Sequence, residues 1–381
     1  MNAKENGRRM RAATSVALVA LCLCPSIQAQ AAESKESAKK ASGKHHVLKA
    51  TKETVQWGWL DPNEPPKLTV NSGDTISVET MAHSMDGIHP GVPMEEIVRL
   101  RKANPGGGPH SVTGPIFVTG AEPGDVMEIR ILKIVPKPAG FNFHLPGSEF
   151  PTVGLLAPEF KEGFVRYYKL DWAKKQTEFK PGITLPLRPF PGVLAVGVDP
   201  NEPKEKAGPP IKDAKGRTST LRPWKNGSNM DLNELQEGSS ISFPVFLKGG
   251  LIWTGDSHCM QGNGEVNLTA LECSYEEIRI QPIVHKDMKL EWPRAETKTH
   301  WITVGFDEDL TEAMKIATRN AVDFLAEQKM VPMSRDEAYA LTSMVGDCRV
   351  TQVVDIRKGV HCMIPKRVFV GYRSARGRNG S

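Results

Sequence analysis

From His46 onward the chain is a succession of short apolar runs broken by Gly, Pro, Asn and Asp, the pattern of strands joined by tight turns. Leu68-Thr-Val70 and Thr75-Ile-Ser-Val78 flank Asn71-Ser-Gly-Asp74, which predicts a hairpin. Ile116-Phe-Val118 leads through Gly120-Ala-Glu-Pro-Gly-Asp125 into the alternating run Val126–Leu132, a turn followed by a strand. Residues 240–246 and 266–273 continue the strand pattern. The period changes near the C-terminus. Leu310, Met314, Ala317, Ala321, Phe324 and Leu325 recur at helical spacing between Asp309 and Gln328. Ser334-Arg-Asp-Glu337 is a capping box opening a second helix, with Gly346 placed as its C′ residue. Val350 to Ile356 returns to strand, and the Pro/Lys/Gly-rich stretch 199–222 reads as a long surface loop. The sum predicts a β-dominated α+β protein with helices segregated late.

The first thirty residues break this pattern. Arg8, Arg9 and Arg11 precede an uncharged apolar stretch from Ala12 to Ile27, and Ala29-Gln-Ala31 has the small-x-small form of a cleavage site. The expectation is a secretory signal peptide over 1–31 and a periplasmic or secreted product. The apolar stretch is short for a bilayer and Pro25 interrupts it, which argues against an anchor. The Arg8-Arg9 pair raises the twin-arginine route beside the general secretory one. Residues 32–45 then read as a disordered leader, 46–369 as the folded domain and 370–381 as a tail. The signal carries four basic residues and one acid, so the remainder holds only about +2 of the chain's +5. Such a balance gives no basis for nucleic-acid binding, and no other segment is long and apolar enough for a membrane.

Four cysteines remain beyond the signal: Cys259, Cys273, Cys348 and Cys362. One or two disulfides suit an oxidising compartment, and three pairings are open. Buried free thiols are the competing reading.

Candidate chemistry concentrates on Gly-rich turns. In Thr254-Gly-Asp-Ser-His-Cys-Met-Gln-Gly-Asn-Gly-Glu265, Asp256 and His258 stand two apart, so in an extended segment they face one side. The Gly turn brings Glu265 back toward them. Asn229 and Asp231 sit on an earlier Gly turn, and His83 and Asp86 follow an early strand, with His89 and His110 close by in sequence. Asp, His and Glu together suit Zn²⁺ or a similar dication, with Ca²⁺ as the alternative.

Four stretches, in this order, make the chain resemble the acetamidase/formamidase family. They are Gly114–Asp125; Gly227-Ser-Asn-Met-Asp231; Gly255-Asp-Ser-His258 with Gly262-Asn-Gly-Glu265; and Val350–Asp355 with Gly359-Val-His361. The resemblance implies a barrel-like or sandwich arrangement of mostly antiparallel strands, and metal-dependent hydrolysis of a short carboxamide to ammonia and an acid. It places Asp231, Asp256, His258 and Glu265 at metal or catalytic positions. The expected roles are Asp231, Asp256 and His258 on the metal, Glu265 as proton carrier or further ligand, and Asn229, His83 and Asp86 toward the substrate. The expected partners are a small amide and further copies of the chain. A Cys259 nucleophile and a non-catalytic binding protein are the rival readings. Two positions depart from the family pattern. Asn263 stands where an Asp is usual and removes a charge near the site. Ser228 stands where a Gly is usual and is strained if its φ is positive.

Overall fold

The computed structural model describes residues 43–203 and 212–370. The expected signal peptide, most of the leader and residues 371–381 of the tail lie outside the described residues. No helix among the described residues is long and apolar enough to cross a membrane.

Two nine-stranded sheets dominate. One runs His45–Leu48, Thr75–Val78, Tyr275–His285, Val126–Pro136 and Ser240–Pro244, then continues through Arg294–Glu296, His300–Asp307, Lys358–Pro365 and Asp347–Gln352. The other runs Gly227–Asn229, Phe190–Ala195, Ile252–Met260, Leu271–Cys273, Ala139–His144 and Phe164–Lys169. Ser111–Thr119 pairs with Ile252–Met260 and carries two further short strands. Most pairings are antiparallel. His45–Leu48 with Thr75–Val78 and Leu68–Asn71 with Ser111–Thr119 are parallel. Both sheets feed one apolar cluster, in which Ile76, Ile129 and Ile280 of the first meet Phe190, Leu194 and Ile252 of the second. Each such side chain, fully removed from water, contributes about 1.5–3 kcal/mol. This is the β-dominated α+β architecture that the apolar pattern predicts.

The late helices form Leu310–Glu327 and Arg335–Val345. Asp309 caps the first, its Oδ1 accepting from the Thr311 and Glu312 amides at 2.8 and 3.0 Å. The buried face is narrow and rich in alanine: Ala313, Ala317, Ala321, Val322 and Leu325. Small residues are required because the helix lies close on the strand His300–Asp307. A Cβ on Gly305 would come within 2.2 Å of the Ala313 carbonyl oxygen. Thr303 Oγ1 donates to the Ala317 carbonyl at 2.8 Å and Asn320 Nδ2 to the Val304 carbonyl at 2.9 Å, so the two elements are also tied by polar contacts. Ser334 and Glu337 form the capping box. Gly346 ends that helix with φ −72°, not in a left-handed cap. Its lack of a side chain answers a contact instead, since a Cβ there would meet the Thr342 carbonyl at 2.5 Å.

Three local expectations are corrected. The turn Asn71–Asp74 exists, with the Asp74 amide donating to the Asn71 carbonyl at 3.1 Å. Its flanking strands do not form a hairpin: Leu68–Asn71 joins one sheet and Thr75–Val78 the other. A turn therefore acts here as the crossing point between layers. The strand expected over 266–273 shrinks to Leu271–Cys273. The Leu268 amide donates back to the Glu265 carbonyl at 3.1 Å, a turn that an apolar pattern does not reveal. The strand expected through Ile356 stops at Gln352. Gln352 Oε1 accepts from the Val354 and Asp355 amides at 3.1 and 3.0 Å and turns the chain.

Candidate active site

Ile252–Met260 lies inside its sheet, and every residue but Met260 is buried. Its neighbours are set by register. Phe190–Ala195 places Phe190 opposite His258, and Leu271–Cys273 places Glu272 opposite His258 on the other side. The Cys259–Cys273 disulfide joins the same two strands one residue further along each. That bond removes Cys259 as a nucleophile, and Cys348–Cys362 pairs the other two cysteines.

His258 is oriented by Gln261. Gln261 Nε2 donates to the carbonyls of Asp231 and Thr351 at 3.3 and 3.5 Å, which leaves its Oε1 facing His258 Nδ1 at 3.0 Å. Nδ1 therefore carries a hydrogen. Nε2 then points at two carboxylates, Glu272 Oε2 at 3.2 Å and Asp256 Oδ2 at 3.4 Å. A bare nitrogen lone pair facing two anions is unfavourable, so this position calls for a proton or a cation. His83 adds a second imidazole, with Nε2 2.8 Å from Asp256 Oδ1 and 3.4 Å from Glu272 Oε2. His110 completes this side, with Nδ1 on Thr220 Oγ1 at 2.8 Å and Nε2 3.9 Å from Asp256 Oδ2.

The other side of the site is carboxylate-rich. Neither oxygen of Asp231 accepts from a fixed donor among the described residues, although Asp231 is buried; it adjoins the Asp355 carboxyl, which it can bond only through a shared proton. Asp355 Oδ2 and Asn229 Oδ1 are buried and unpartnered too. Asp231 Oδ1 lies 3.7 Å from His258 Nδ1. Ligand atoms of Asp231, His258 and Glu265 fall within 4.8 Å of one another, as do those of Asp256, His258 and Glu272 and those of His83, His110 and Asp256.

Gly192 keeps the centre open. A Cβ on it would stand 2.5 Å from Asp256 Oδ2, 2.6 Å from His258 Cε1 and 2.7 Å from Asp231 Oδ1. The backbone also holds the acids under strain. Asp231, Asp256 and Glu265 adopt φ of 53°, 49° and 46°, the left-handed region that costs a side-chain-bearing residue about 1–2 kcal/mol.

Protonation divides the site in the same way. Burial raises Asp231 to about 7, against the pull of His258. Burial, then repulsion from Asp231 and Asp355, pushes Glu265 well above the carboxylate range. Burial and Asp231 do the same to Asp355. On the imidazole side burial is overcome by pairing. His258 and His83 hold Glu272 down to about 2, and His110 and His258 hold Asp256 well below its ordinary value. His83 is raised to about 9 by Glu272 and Asp256 despite its burial, whereas burial drives His110 down to about 4. Crowded carboxylates that retain protons are the electrostatic signature of a cation site: a dication replaces the protons. The donor set, the orphaned Asp231 oxygens and the space over Gly192 all fit a divalent metal.

The residues singled out from the sequence divide clearly. Asp231, Asp256, His258 and Glu265 meet, His83 joins them, and Asn229 lines the chamber. Asp86 stands apart, exposed on the surface with Oδ1 accepting the Ala82 amide at 2.7 Å. Asn263 is exposed as well, its Oδ1 accepting from Asn233 Nδ2 at 2.9 Å, so that departure changes nothing inside the chamber. Ser228 does carry strain, with φ 68° and a buried, unpartnered hydroxyl. Sequence reasoning missed Glu272, Asp355 and Gly192, and noted His110 only for its nearness. Glu272 had a signal: a lone charge inside the apolar run Leu271-Glu-Cys273.

The chamber is small, about 50 Å³, room for a handful of waters at roughly 10–15 Å³ each. Ile88, Ile97, Phe143, Leu145 and Leu268 supply apolar wall.

The model of the Acetamidase/Formamidase family matches residues 44–207 and 204–370. An acetamidase of Mycolicibacterium smegmatis is 31% identical over 200 residues, covering 42% of this chain and 49% of that protein. A formamidase of Methylophilus methylotrophus is 28% identical over 200 residues, covering 41% of this chain and 47% of that one. The chain thus spans about half the length of the curated relatives it matches. The crystal structure of an acetamidase from Yersinia enterocolitica superposes with a TM-score of 0.72 at 26% identity, covering 87% of this chain and 94% of that one.

Proposed function

We propose, from the premise that this chain belongs to the acetamidase/formamidase family, that it hydrolyses short-chain carboxamides of the formamide and acetamide type with a divalent cation in its chamber. One observation carries the reading: unpartnered oxygens of Asp231 meet Asp256 and His258 around the space that a methyl group on Gly192 would fill. Asp231, Asp256 and His258 would hold the cation. A mixed nitrogen and oxygen donor set favours zinc over calcium. Once bound, such an ion polarises a carbonyl and makes a water acidic near neutral pH.

The chain's own residues supply the rest. Amides resist hydrolysis because the nitrogen lone pair stabilises the carbonyl and the amine leaves poorly, so a proton must be taken from the attacking water and given to the departing nitrogen. Glu265 suits that shuttle. It faces the chamber, and burial beside Asp231 and Asp355 raises its proton affinity, the property a general base needs to hold what it takes. Glu272 does not suit it, since His258 and His83 keep its carboxylate ionised down to about pH 2. Glu272 instead orients the two imidazoles. Asn229, with a free Oδ1 on the chamber wall, is placed to accept from the amide NH₂. The chamber volume and its apolar wall suit an acyl group of a few carbons.

The decisive experiment is ammonia release from formamide, acetamide and propanamide, before and after dialysis against a strong chelator. Turnover that disappears with the metal and returns with Zn²⁺ supports the reading. Full activity in metal-free protein, or no turnover of any short amide by metal-loaded protein, rejects it. We also infer export of the chain; two disulfides among the described residues suit an oxidising compartment, and cell fractionation tests it.

A further inference from the structure

The mechanism leaves one cation of the chamber unused. The helix Met94–Ala103 presents Ile97 and, one turn on, Arg101 to the same cavity as Asp256, Glu265 and Glu272. Ile97 is buried, and Arg101 is partly so. The other strong cations of this helix have acids: Arg99 pairs with Glu96 and Lys102 with Glu149. Arg101 pairs with no carboxylate among the described residues. Nη1 donates to the Gly107 carbonyl at 3.1 Å, which leaves most of its five N–H donors unused in that direction. Burial lowers its pKa with no acid compensating. The guanidinium therefore stands clear of the carboxylate cluster, although it borders the same chamber.

We propose that Arg101 is a specificity-determining residue that binds an anionic group on the acyl chain, so that the preferred substrates are monoamides of short dicarboxylic acids. This deepens the amidase reading and rests on it. The chamber has chemically distinct surfaces. The Asp/His/Glu cluster takes the amide, Ile97, Leu145 and Leu268 suit methylenes, and the planar guanidinium matches a carboxylate in two-point fashion.

The test compares two amides of equal chain length, succinamate and butanamide, with metal-loaded protein. The expected result is a kcat/KM ratio favouring succinamate by about ten- to a hundredfold, the range of one charge-assisted hydrogen-bonded pair. Arg101→Met should collapse that ratio toward one, and Arg101→Lys should retain part of it. An unaltered ratio in Arg101→Met, or no preference in the wild type, overturns the proposal. A second readout is independent of turnover: succinate should raise the melting temperature of metal-loaded wild-type protein and not of Arg101→Met, whereas the neutral butane-1,4-diol should act alike on both. If no amide is hydrolysed but succinate binding depends on Arg101, the anion site stands and the amidase reading falls. If short amides are hydrolysed but succinate binds both proteins equally, the amidase reading stands and the anion site falls. If neither amides nor succinate engage the protein, both fall.

Discussion

Gly192 shows at the level of one residue why a site can depend on an absent side chain. Its missing Cβ opens the space that Asp256, His258 and Asp231 surround. Gly192→Ala adds one methyl group there and removes no ligand. The expected outcome is a loss of bound metal, read by elemental analysis, and at least a hundredfold lower amide turnover, with far-UV circular dichroism unchanged. An alanine variant that keeps its metal and its rate would show that the space serves no ligand. The residue scale also shows what can be read in advance. Asp256 and His258 were legible because side chains two apart in a strand share a face. Their positions survive even though Asp256 itself has a positive φ. Gly192 was not legible, because one glycine among 34 carries no mark of what surrounds it. The family resemblance groups Asp86 with His83, but Ser84, Met85 and Asp86 all adopt positive φ. That run turns Asp86 outward.

Among the elements, the strand pair Ile252–Met260 and Leu271–Cys273 carries the most chemistry on a short ladder. Leu271–Cys273 has three residues and opposes Phe141 through Glu272 on its far side. The Cys259–Cys273 bond, closing a separation of 14 residues, compensates for that shortness. A loop of this size constrains the unfolded chain by about 3 kcal/mol. The double replacement Cys259→Ser/Cys273→Ser should lower unfolding free energy by roughly that amount in urea denaturation. It should also cost activity, because Glu272 and His258 adjoin the two cysteines. A double variant as stable and as active as the parent would show that the sheet alone sets the register. The elements were unevenly legible. The two late helices declared themselves through 3.6-residue periodicity and a capping box, whereas the helix Met94–Ala103, which stands early against the expectation of late helices only, did not. The turn Asn71–Asp74 was equally clear as a turn, yet its flanking strands part into different sheets, a choice made by tertiary packing and not by the turn. Asp355 was hidden for a related reason: Gln352 bends the chain out of its strand through a side-chain contact that no apolar pattern encodes.

For the whole molecule, the site behaves as a stored electrostatic cost. Asp231 has an ordinary value of 3.8 and is raised to about 7 in the fold. A raised carboxylate contributes stability that is complete below its unfolded value and is lost as pH rises through its folded one. Glu265 and Asp355 shift in the same direction. Glu272, lowered to about 2, contributes above its ordinary 4.5 and loses that only in acid. His83, raised from 6.5 to about 9, loses its contribution progressively as pH rises from 6.5 towards 9, while His110 and His361, lowered to about 4, act in the opposite direction between 4 and 6.5 and are outnumbered by the three raised carboxylates. Between pH 5 and 7.5 the carboxylate-rich side therefore decides the sign. Metal-free protein should melt at a lower temperature at pH 7.5 than at pH 5, and saturating Zn²⁺ should remove most of the difference. Equal melting temperatures in metal-free protein at the two pH values would contradict the assignment. The β-dominated class was readable from alternation and composition, whereas the packing of sheet on sheet came only from the family resemblance. Pairing order was not readable, because strands far apart in sequence become neighbours: Tyr275–His285 lies between Thr75–Val78 and Val126–Pro136.

The groups around the chamber come from His83, His110, Gly192, Asp231, the 256–272 segment and Asp355. Asp231 follows the strand Gly227–Asn229, whereas Asp256 and His258 share Ile252–Met260, so the proposed ligands would come together only once both strands have paired with Phe190–Ala195. Metal loading would then follow folding, and its timing would select the supplier. A chain threaded across a membrane unfolded draws its ion from the far side, whereas one carried across already folded brings the ion with it from the cytosol. The identity of any metal bound there would then distinguish the two routes.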